Sequence, residues 1–343
     1  MTEVQQSPRQ GRRARALGIM PVLLLVAMVV MFFVIPALKG TSPTDFNVYN
    51  AFQDWSALSL LALALGITVI AGEFDLSVLA MYSLGAMVAV QTGTSSPVLG
   101  VVLAVAAAGL IGLVQGLIVA KLRINSMTVT LGGYLTVLGL VNIIGGNASV
   151  PYKNVNVGIS LDDPILSFFS IRSLITIAIF AIVFLVLRYT VLGRNLRAMG
   201  GERRATRIAG VRADPLLVGC FVASAMLAAL GGSLLGYSLA TAIPDLGFGP
   251  LIFAITAVLL GGVALAGGRG SALGIAAGAF TLALLNELFG LMATPDYISD
   301  LITGGLLFIV TIISAPDLFG WWRSVRAAKV TTPEQEPVAL EKS

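Results

Sequence analysis

The sequence contains no histidine and a single cysteine, Cys220. Without imidazole there is no histidine proton relay, and zinc or haem has lost its commonest nitrogen ligand. One thiol cannot close an intrachain disulfide. Charge is also scarce: 11% of the residues are charged, against about a quarter in an ordinary soluble domain. No Gly-x4-Gly-Lys-Ser/Thr stretch occurs, so no phosphate-cradling loop of that kind is encoded. The stretch GGRGSALG at 267–274 lacks the lysine and joins two apolar runs. No segment is long and polar enough for a soluble catalytic domain.

What the chain has is apolar length. It is 57% hydrophobic, with a mean hydropathy of +0.94. Apolar runs of about 17 residues or more, each long enough to cross a bilayer as a helix, recur from end to end. The expected fold is an all-α integral membrane protein of about ten transmembrane helices. The spans read as roughly 17–38, 55–71, 76–92, 97–120, 126–145, 171–190, 215–240, 248–266, 271–292 and 299–315. The first follows Arg9, Arg12, Arg13 and Arg15. It is long for a signal peptide and no small-x-small site follows, so it reads as an uncleaved helix.

Orientation follows from Lys and Arg, which accumulate on the cytoplasmic side. With the N-terminus inside and the spans alternating, only Lys39, Lys153 and Arg172 of the 21 basic residues fall outside. That places both termini in the cytoplasm. It also accounts for the net charge of +4 without any nucleic-acid partner. The organisation is then a basic N-terminus over 1–16, a transmembrane domain over 17–315 and a cytoplasmic tail over 316–343 that reads as disordered from about 327. Two connections are long: 146–170 outside and 192–214 inside.

A weak internal similarity runs along the chain. LGVVLAVAAAGLIGLVQGLI (99–118) resembles LGIAAGAFTLALLNELFGLM (273–292), an offset of 174. The same offset lays spans three to five over spans eight to ten. Five spans separate the copies, so the offset implies an inverted repeat, an architecture of transporters.

The stretch AGEFDLSVLA (71–80) sets Glu73 and Asp75 between two apolar runs. In one continuous helix the two buried acids would cost about 5–7 kcal/mol, at roughly 2.5–3.5 each. Breaking the helix avoids most of that. Gly72 is placed to end the first segment, and Asp75 or Ser77 to cap the next. The expectation is a broken pair of short helices, of about 16 and 17 residues. At the repeat offset, DLGFGPL (245–251) is a second break, so breaks are expected near 72–77 and 245–250. The residues alone leave open whether Asp75 caps a helix or meets a transported molecule.

These stretches resemble a known family. AGEFDLSV, VTLGGYLTVLGL (129–140), LGRNLRAMGGERRATRIAGV (192–211), AVLLGGVALAGGRGSALGIAAGA (257–279) and LLNELFGL (284–291) are similar, in order, to the permease subunits of sugar-type ATP-binding-cassette importers, the ribose/xylose/galactose branch. The resemblance covers about residues 50–315. It implies a dimeric membrane pore without enzymatic activity. A separate ATPase subunit would bind ATP and Mg below, and a periplasmic solute-binding protein would dock above. The chain itself is expected to hold no cofactor and no metal, in a bacterial inner membrane, with membrane lipid and a second permease subunit as further partners. The implied cargo is a monosaccharide or polyol. Related permeases carry branched-chain amino acids, nucleosides or a furanosyl signal, and a proton-coupled carrier using Glu73, Asp75 and Glu287 is a rival of another class. The chain departs from the family pattern at Glu73, where a second glycine is usual, and at Glu287, where asparagine is frequent.

For the substrate path the candidates are Asp75, Ser77, Phe248, Phe253, Asn286 and Glu287. For coupling to the ATPase they are Arg194, Arg197, Gly200, Gly201, Glu202, Arg203, Arg204, Arg207 and Gly210. Within this inner loop Ala205, Ile208 and Ala209 form one face of a short helix, with Arg203, Arg204 and Arg207 on others. The alternative for the same basic loop is attraction to anionic lipid. Gln115 reads as an interhelical hydrogen bond, and Gly109, Gly112 and Gly116 as packing residues.

Overall fold

A computed structural model describes residues 8–314 of the chain. The tail over 316–343 and the start of the basic N-terminus lie outside the described residues. The helices are α1 (Pro8–Leu38), α2 (Asp45–Ile70), α3 (Val78–Thr92), α4 (Pro97–Leu122), α5 (Ser126–Gly145), α6 (Val155–Asp162), α7 (Ile171–Tyr189), α8 (Val191–Gly201), α9 (Arg203–Ile208), α10 (Ala213–Ser238), α11 (Gly249–Leu260), α12 (Ala272–Leu291) and α13 (Asp296–Ser314). Two short strands, β1 (Val150–Pro151) and β2 (Thr241–Ala242), pair antiparallel. Among the described residues, seven helices are long and apolar enough to cross a membrane, and Val78–Thr92, Gly249–Leu260 and Tyr297–Ile312 are shorter apolar helices.

Two expected boundaries were wrong. Helix α2 starts at Asp45, not near 55, and runs for 26 residues. The pair around the first break is therefore one long helix and one short one of 15 residues, not two short ones. Asn47, Gln53 and Asp54 interrupt the hydropathy, but each has a partner: Glu287, Arg172 and Asn286 respectively. A paired polar residue does not end a helix. At the other end, α11 stops at Leu260 rather than 266. It is 12 residues long, about 18 Å, so it spans a bilayer core of about 30 Å only together with the non-helical chain at its ends.

Helix α10 is the central element. It packs most extensively on α4 and α3, then on α2, while α2 packs on α12 and α11. Helices α3 and α4 pair, as do α11 and α12, and α3 meets α5 as α11 meets α13. Exchanging α2–α5 for α10–α13 thus relates these pairings to one another, while the pairing of α1 with α12 has no counterpart. The outward faces of α4, α5 and α7 carry exposed Leu, Ile and Val, including Leu110, Leu135 and Leu185, as helices bathed in lipid do.

The bundle has two dissimilar ends. At one, the strand pair and α6 form a cap, fixed where the buried Arg172 meets Asp162 at 2.9 Å and Gln53 at 2.8 Å. The connection 146–170 is thus a built segment, not a free loop. At the other end lie α8 and α9 with their arginines. We call these the strand end and the arginine end.

Helices α3 and α10 approach closely enough to exclude any side chain at two positions. A Cβ on Gly85 would lie 2.1 Å from the Ala229 carbonyl oxygen, and one on Gly232 would lie 1.8 Å from that of Tyr82. The Ser233 hydroxyl donates to the Gly85 carbonyl at 3.0 Å across the same crossing. Gly109, Gly112 and Gly116 of α4 also face α10, as their packing role requires. Gly85→Ala and Gly232→Ala should each destabilise the detergent-solubilised protein by about 1–3 kcal/mol, the usual range for overpacking. Gly139→Ala, where nothing lies within 4 Å, should melt within about 0.5 kcal/mol of the parent. Equal melting of all three by thermal unfolding would refute this close approach.

Candidate functional site

Helix α2 ends at the arginine end in a Schellman turn. Gly72 takes φ +83°, its N–H donates to the Val69 carbonyl, and the Glu73 N–H donates to that of Thr68, both at 3.0 Å. This is the left-handed terminus that glycine favours. From there to Ser77 the chain is non-helical and runs from the exposed Gly72 to the buried Asp75 and Ser77. Amides that leave water along this stretch need partners within the protein. The Phe74 N–H donates to Ser126 Oγ at 3.2 Å and the Leu76 N–H to Thr130 Oγ1 at 3.1 Å. Both acceptors belong to α5. The Ser77 N–H donates to Asp75 Oδ1 at 2.9 Å, so Asp75 caps the start of α3, as one of the two sequence readings expects.

Asp75 is 1% exposed and Ser77 is fully buried. The Ser77 hydroxyl donates to Asp75 Oδ1 at 2.6 Å, and the Ser224 hydroxyl of α10 donates to Oδ2 at 3.2 Å. Ser77 Oγ also lies 2.8 Å from the Gln115 side-chain amide of α4. A hydroxyl has one proton, already committed to Asp75, so the amide must present its nitrogen to Ser77. That orientation also gives the otherwise unpartnered Gln115 nitrogen an acceptor. Asp75, Ser77, Gln115 and Ser224 thus lock α3, α4 and α10 together. In this conformation Asp75 and Ser77 line no open path.

The break is joined to α8 by backbone alone. The Gly268 N–H donates to the Ile70 carbonyl at 3.0 Å. A Cβ on Gly200 would lie 2.0 Å from that same carbonyl oxygen and 2.6 Å from the Gly268 nitrogen. Three strands of backbone, at 70–72, 200–201 and 267–268, therefore meet with no room for a side chain. Arg197 holds the neighbouring turn, donating to the Leu187 carbonyl at 3.0 Å and to that of Gly270 at 3.4 Å.

The arginines of α9 divide into two kinds. Arg203 reaches Glu73 at 3.1 Å and Asp214 at 3.3 Å, and Arg207 also pairs with Asp214. These two bind α9 to its own chain. Arg194, Arg204, Glu202, Gly201 and Gly210 are exposed. So is the apolar face of Ala205, Ile208 and Ala209, with Ile208 81% exposed. The Glu202 side chain accepts from the Arg204 N–H at 3.2 Å and caps the helix.

The second break lies at the strand end. Gly247 has φ +67° and donates its N–H to Asp245 Oδ1 at 2.9 Å, the same device as Asp75 with Ser77. Phe248 is 60% exposed and stands 5.8 Å, ring to ring, from Tyr134 of α5. Phe253 packs partly buried against the core. Asn286 and Glu287 sit elsewhere, bonded to Asp54 and Asn47 of α2. The structure therefore brings Asp75 and Ser77 together and leaves the other path candidates apart. Ser224 escaped sequence reasoning, as did the contact made by Gly267 and Gly268, which the sequence offers only as part of the stretch 257–279. A lone hydroxyl in an apolar helix was the only available sign of the first. Among the described residues, no group of three or more acids, cysteines or histidines is arranged to hold a metal ion.

Over residues 47–311 the chain matches the family described as branched-chain amino acid transport system / permease component. It is 30% identical to the ribose import permease protein RbsC of Escherichia coli (strain K12), covering 84% of this chain and 92% of that protein. It is 29% identical to the L-arabinose ABC transporter permease protein AraH of Azospirillum brasilense, covering 88% and 90%. It is 27% identical to the fructose import permease protein FrcC of Rhizobium meliloti, covering 90% and 86%. No solved structure matches.

The ion pairs of Arg203 are partly exposed, with its side chain at 29% and that of Glu73 at 18%. Such pairs contribute about 0.2–1 kcal/mol each. Arg203→Gln should therefore shift the melting point little, yet loosen α9 on its seat. Hydrogen exchange should show the amides of 203–209 exchanging about fivefold faster, corresponding to about 1 kcal/mol. Unchanged exchange there would mean that the pairs do not hold α9.

Proposed function

We propose a function from one premise: this chain belongs to the permease-component family of sugar-type ATP-binding-cassette importers. It is a transport component of a membrane, not an enzyme. Our reading is a permease that passes a monosaccharide, or a polyol, across a bacterial inner membrane after delivery by a periplasmic binding protein. Ribose, arabinose and fructose in the names of its relatives support the cargo class. Ten crossings with both termini cytoplasmic are supported by seven long and three shorter apolar helices and by the distribution of basic residues. The exchange symmetry of the packing supports the inverted repeat, with the arginine end cytoplasmic and the strand end periplasmic.

One observation carries the mechanism: the backbone junction that ties α8 to the first break and to the turn before α12. An ATPase subunit that binds and hydrolyses ATP with Mg would grip the exposed face of α9. Its closure would move α8, and the junction passes that movement to Gly72 on one side and Gly268 on the other. Asp75 and Ser77 would then separate from Gln115 or Ser224 and reach the path. A second permease subunit completes the pore, with Phe248 and Phe253 on its wall. The binding protein docks on the strand cap, near Asn286 and Glu287. The proton-coupled rival is disfavoured because Glu73, Asp75 and Glu287 each have a different partner and form no relay.

Reconstitution with the ATPase and binding protein of the same system should give ATP-dependent uptake of a radiolabelled pentose or hexose, whereas the chain alone should give none. Ile208→Asp adds a charge to the centre of the exposed face. Uptake and ATPase association should fall at least about tenfold, the scale of a lost interface anchor, while insertion and melting stay those of the parent. Undiminished uptake by Ile208→Asp would remove α9 as the docking element. Uphill uptake by the chain alone under a pH gradient would remove the importer reading.

A further inference from the structure

Helices α7 and α10 both pack on α2 but have no extensive contact with each other. Between them, at the arginine end, lies a lateral cleft of about 840 Å³. Its floor is Ile67 of α2, and its walls include Val183 and Leu187 of α7 and Ala223 of α10. Asn195 of α8 and Arg212, just before α10, close the end nearest the arginines. The lining extends along α10 as far as Leu227. From Arg212 to that residue the rise is about 22 Å, more than one leaflet of a hydrocarbon core of about 30 Å. An extended acyl chain fits that length.

The chemistry of the cleft is one-sided. Almost all of its lining is aliphatic, and Arg212 is the one charged residue among the lining side chains. Among the described residues, Arg212 makes no salt bridge. It is exposed at the level where the headgroups of the adjoining leaflet lie. An apolar slot ending in an uncompensated guanidinium and an amide matches a hydrocarbon chain ending in a phosphate. Arginine forks suit phosphate oxygens, and basic pockets between membrane helices on the cytoplasmic side bind anionic headgroups.

We propose that this cleft holds one anionic phospholipid, its acyl chain between α7 and α10 and its phosphate on Arg212 and Asn195. The inference needs only that the chain sits in a bilayer, and it stands whether or not the cargo is a sugar. The bound lipid wedges the link between α9 and α10, which carries Val211 and Arg212. Lipid and α9 movement are therefore coupled.

The test uses the full chain purified in mild detergent and offered equal amounts of phosphatidylglycerol and phosphatidylcholine, read by native mass spectrometry. One phosphatidylglycerol should be retained per chain, with a preference of about fivefold, the effect of one basic residue beside an anionic headgroup. Arg212→Ala should reduce that preference to near parity. Gly219→Leu fills the cleft at a position where nothing lies within 4 Å of the added Cβ, and it should release the lipid while keeping the parent melting point. Phosphatidylglycerol, but not glycerol phosphate, should also slow modification of Cys220, which lines the cleft, by a membrane-permeant thiol reagent. Equal retention of both lipids by the parent, or full retention by Gly219→Leu, would overturn the proposal. Protection of Cys220 by glycerol phosphate would assign the site to a free phosphate compound and overturn it as well.

Discussion

The structure depends on one constraint: a chain that leaves its helix inside a bilayer must still satisfy every backbone amide and carbonyl. The segment from Gly72 to Ser77 meets much of this demand with side chains. Two hydroxyls of α5 and one carboxylate take the freed amides, and Gly268 takes the last carbonyl of α2. Each group left unpaired in hydrocarbon would cost several kcal/mol. These partners therefore determine where α5 and the turn before α12 must lie, and α8 packs against both at Gly200. The glycines follow from the same need, because a backbone acceptor is reached at 3.0 Å only where no Cβ intervenes. Gly200 sits against Ile70 for this reason and not for flexibility.

Two kinds of bond hold the arginine end, and they differ in strength. The junction is backbone on backbone, too close for any side chain. The contacts of α9 with Glu73 and Asp214 are ion pairs in partial contact with water, where solvent screens most of the Coulomb energy. A surface that competes for Arg203 or Arg207 can therefore shift α9 at a cost of about 1 kcal/mol, whereas separating Gly200 from Ile70 requires moving three segments together. In the function proposed above, this difference makes α9 the movable handle and the junction the rigid link. Glu73, where the family pattern usually has a second glycine, is then a tether between the first break and α9.

Much of this was legible in the residues. Two acids between apolar runs are too costly in a continuous helix, and Gly72, Asp75 and Ser77 carry the chemistry of a helix end and a helix start. Both breaks fall where that reasoning put them. Helix length was not legible, because hydropathy treats Asn47, Gln53 and Asp54 as exposed when they are paired across the bundle. The roles of Arg203 and Arg207 were not legible either. A helical wheel of α9 separates apolar from basic faces, but it cannot tell which of them the rest of the chain covers. Here the chain covers two arginines and leaves Ile208 outside, the reverse of a helix that buries its apolar side in its own core.

That inversion bears on how the two ends of the bundle differ. The break at the arginine end is sealed: Asp75 is satisfied three times over by Ser77 and Ser224. The break at the strand end has the same carboxylate-to-amide turn at Asp245, but among the described residues it has no second layer, and the one ring contact of Phe248 is with Tyr134. A fold with equivalent halves in equivalent states would cover both turns alike. The sealed turn carries a buried carboxylate without a countercharge, and only its hydrogen bonds offset the desolvation. Loss of one hydroxyl donor would leave that carboxylate short of partners while Phe248 lost nothing comparable. The energetic leverage over any rearrangement of the bundle therefore lies at the sealed break, one junction away from α8.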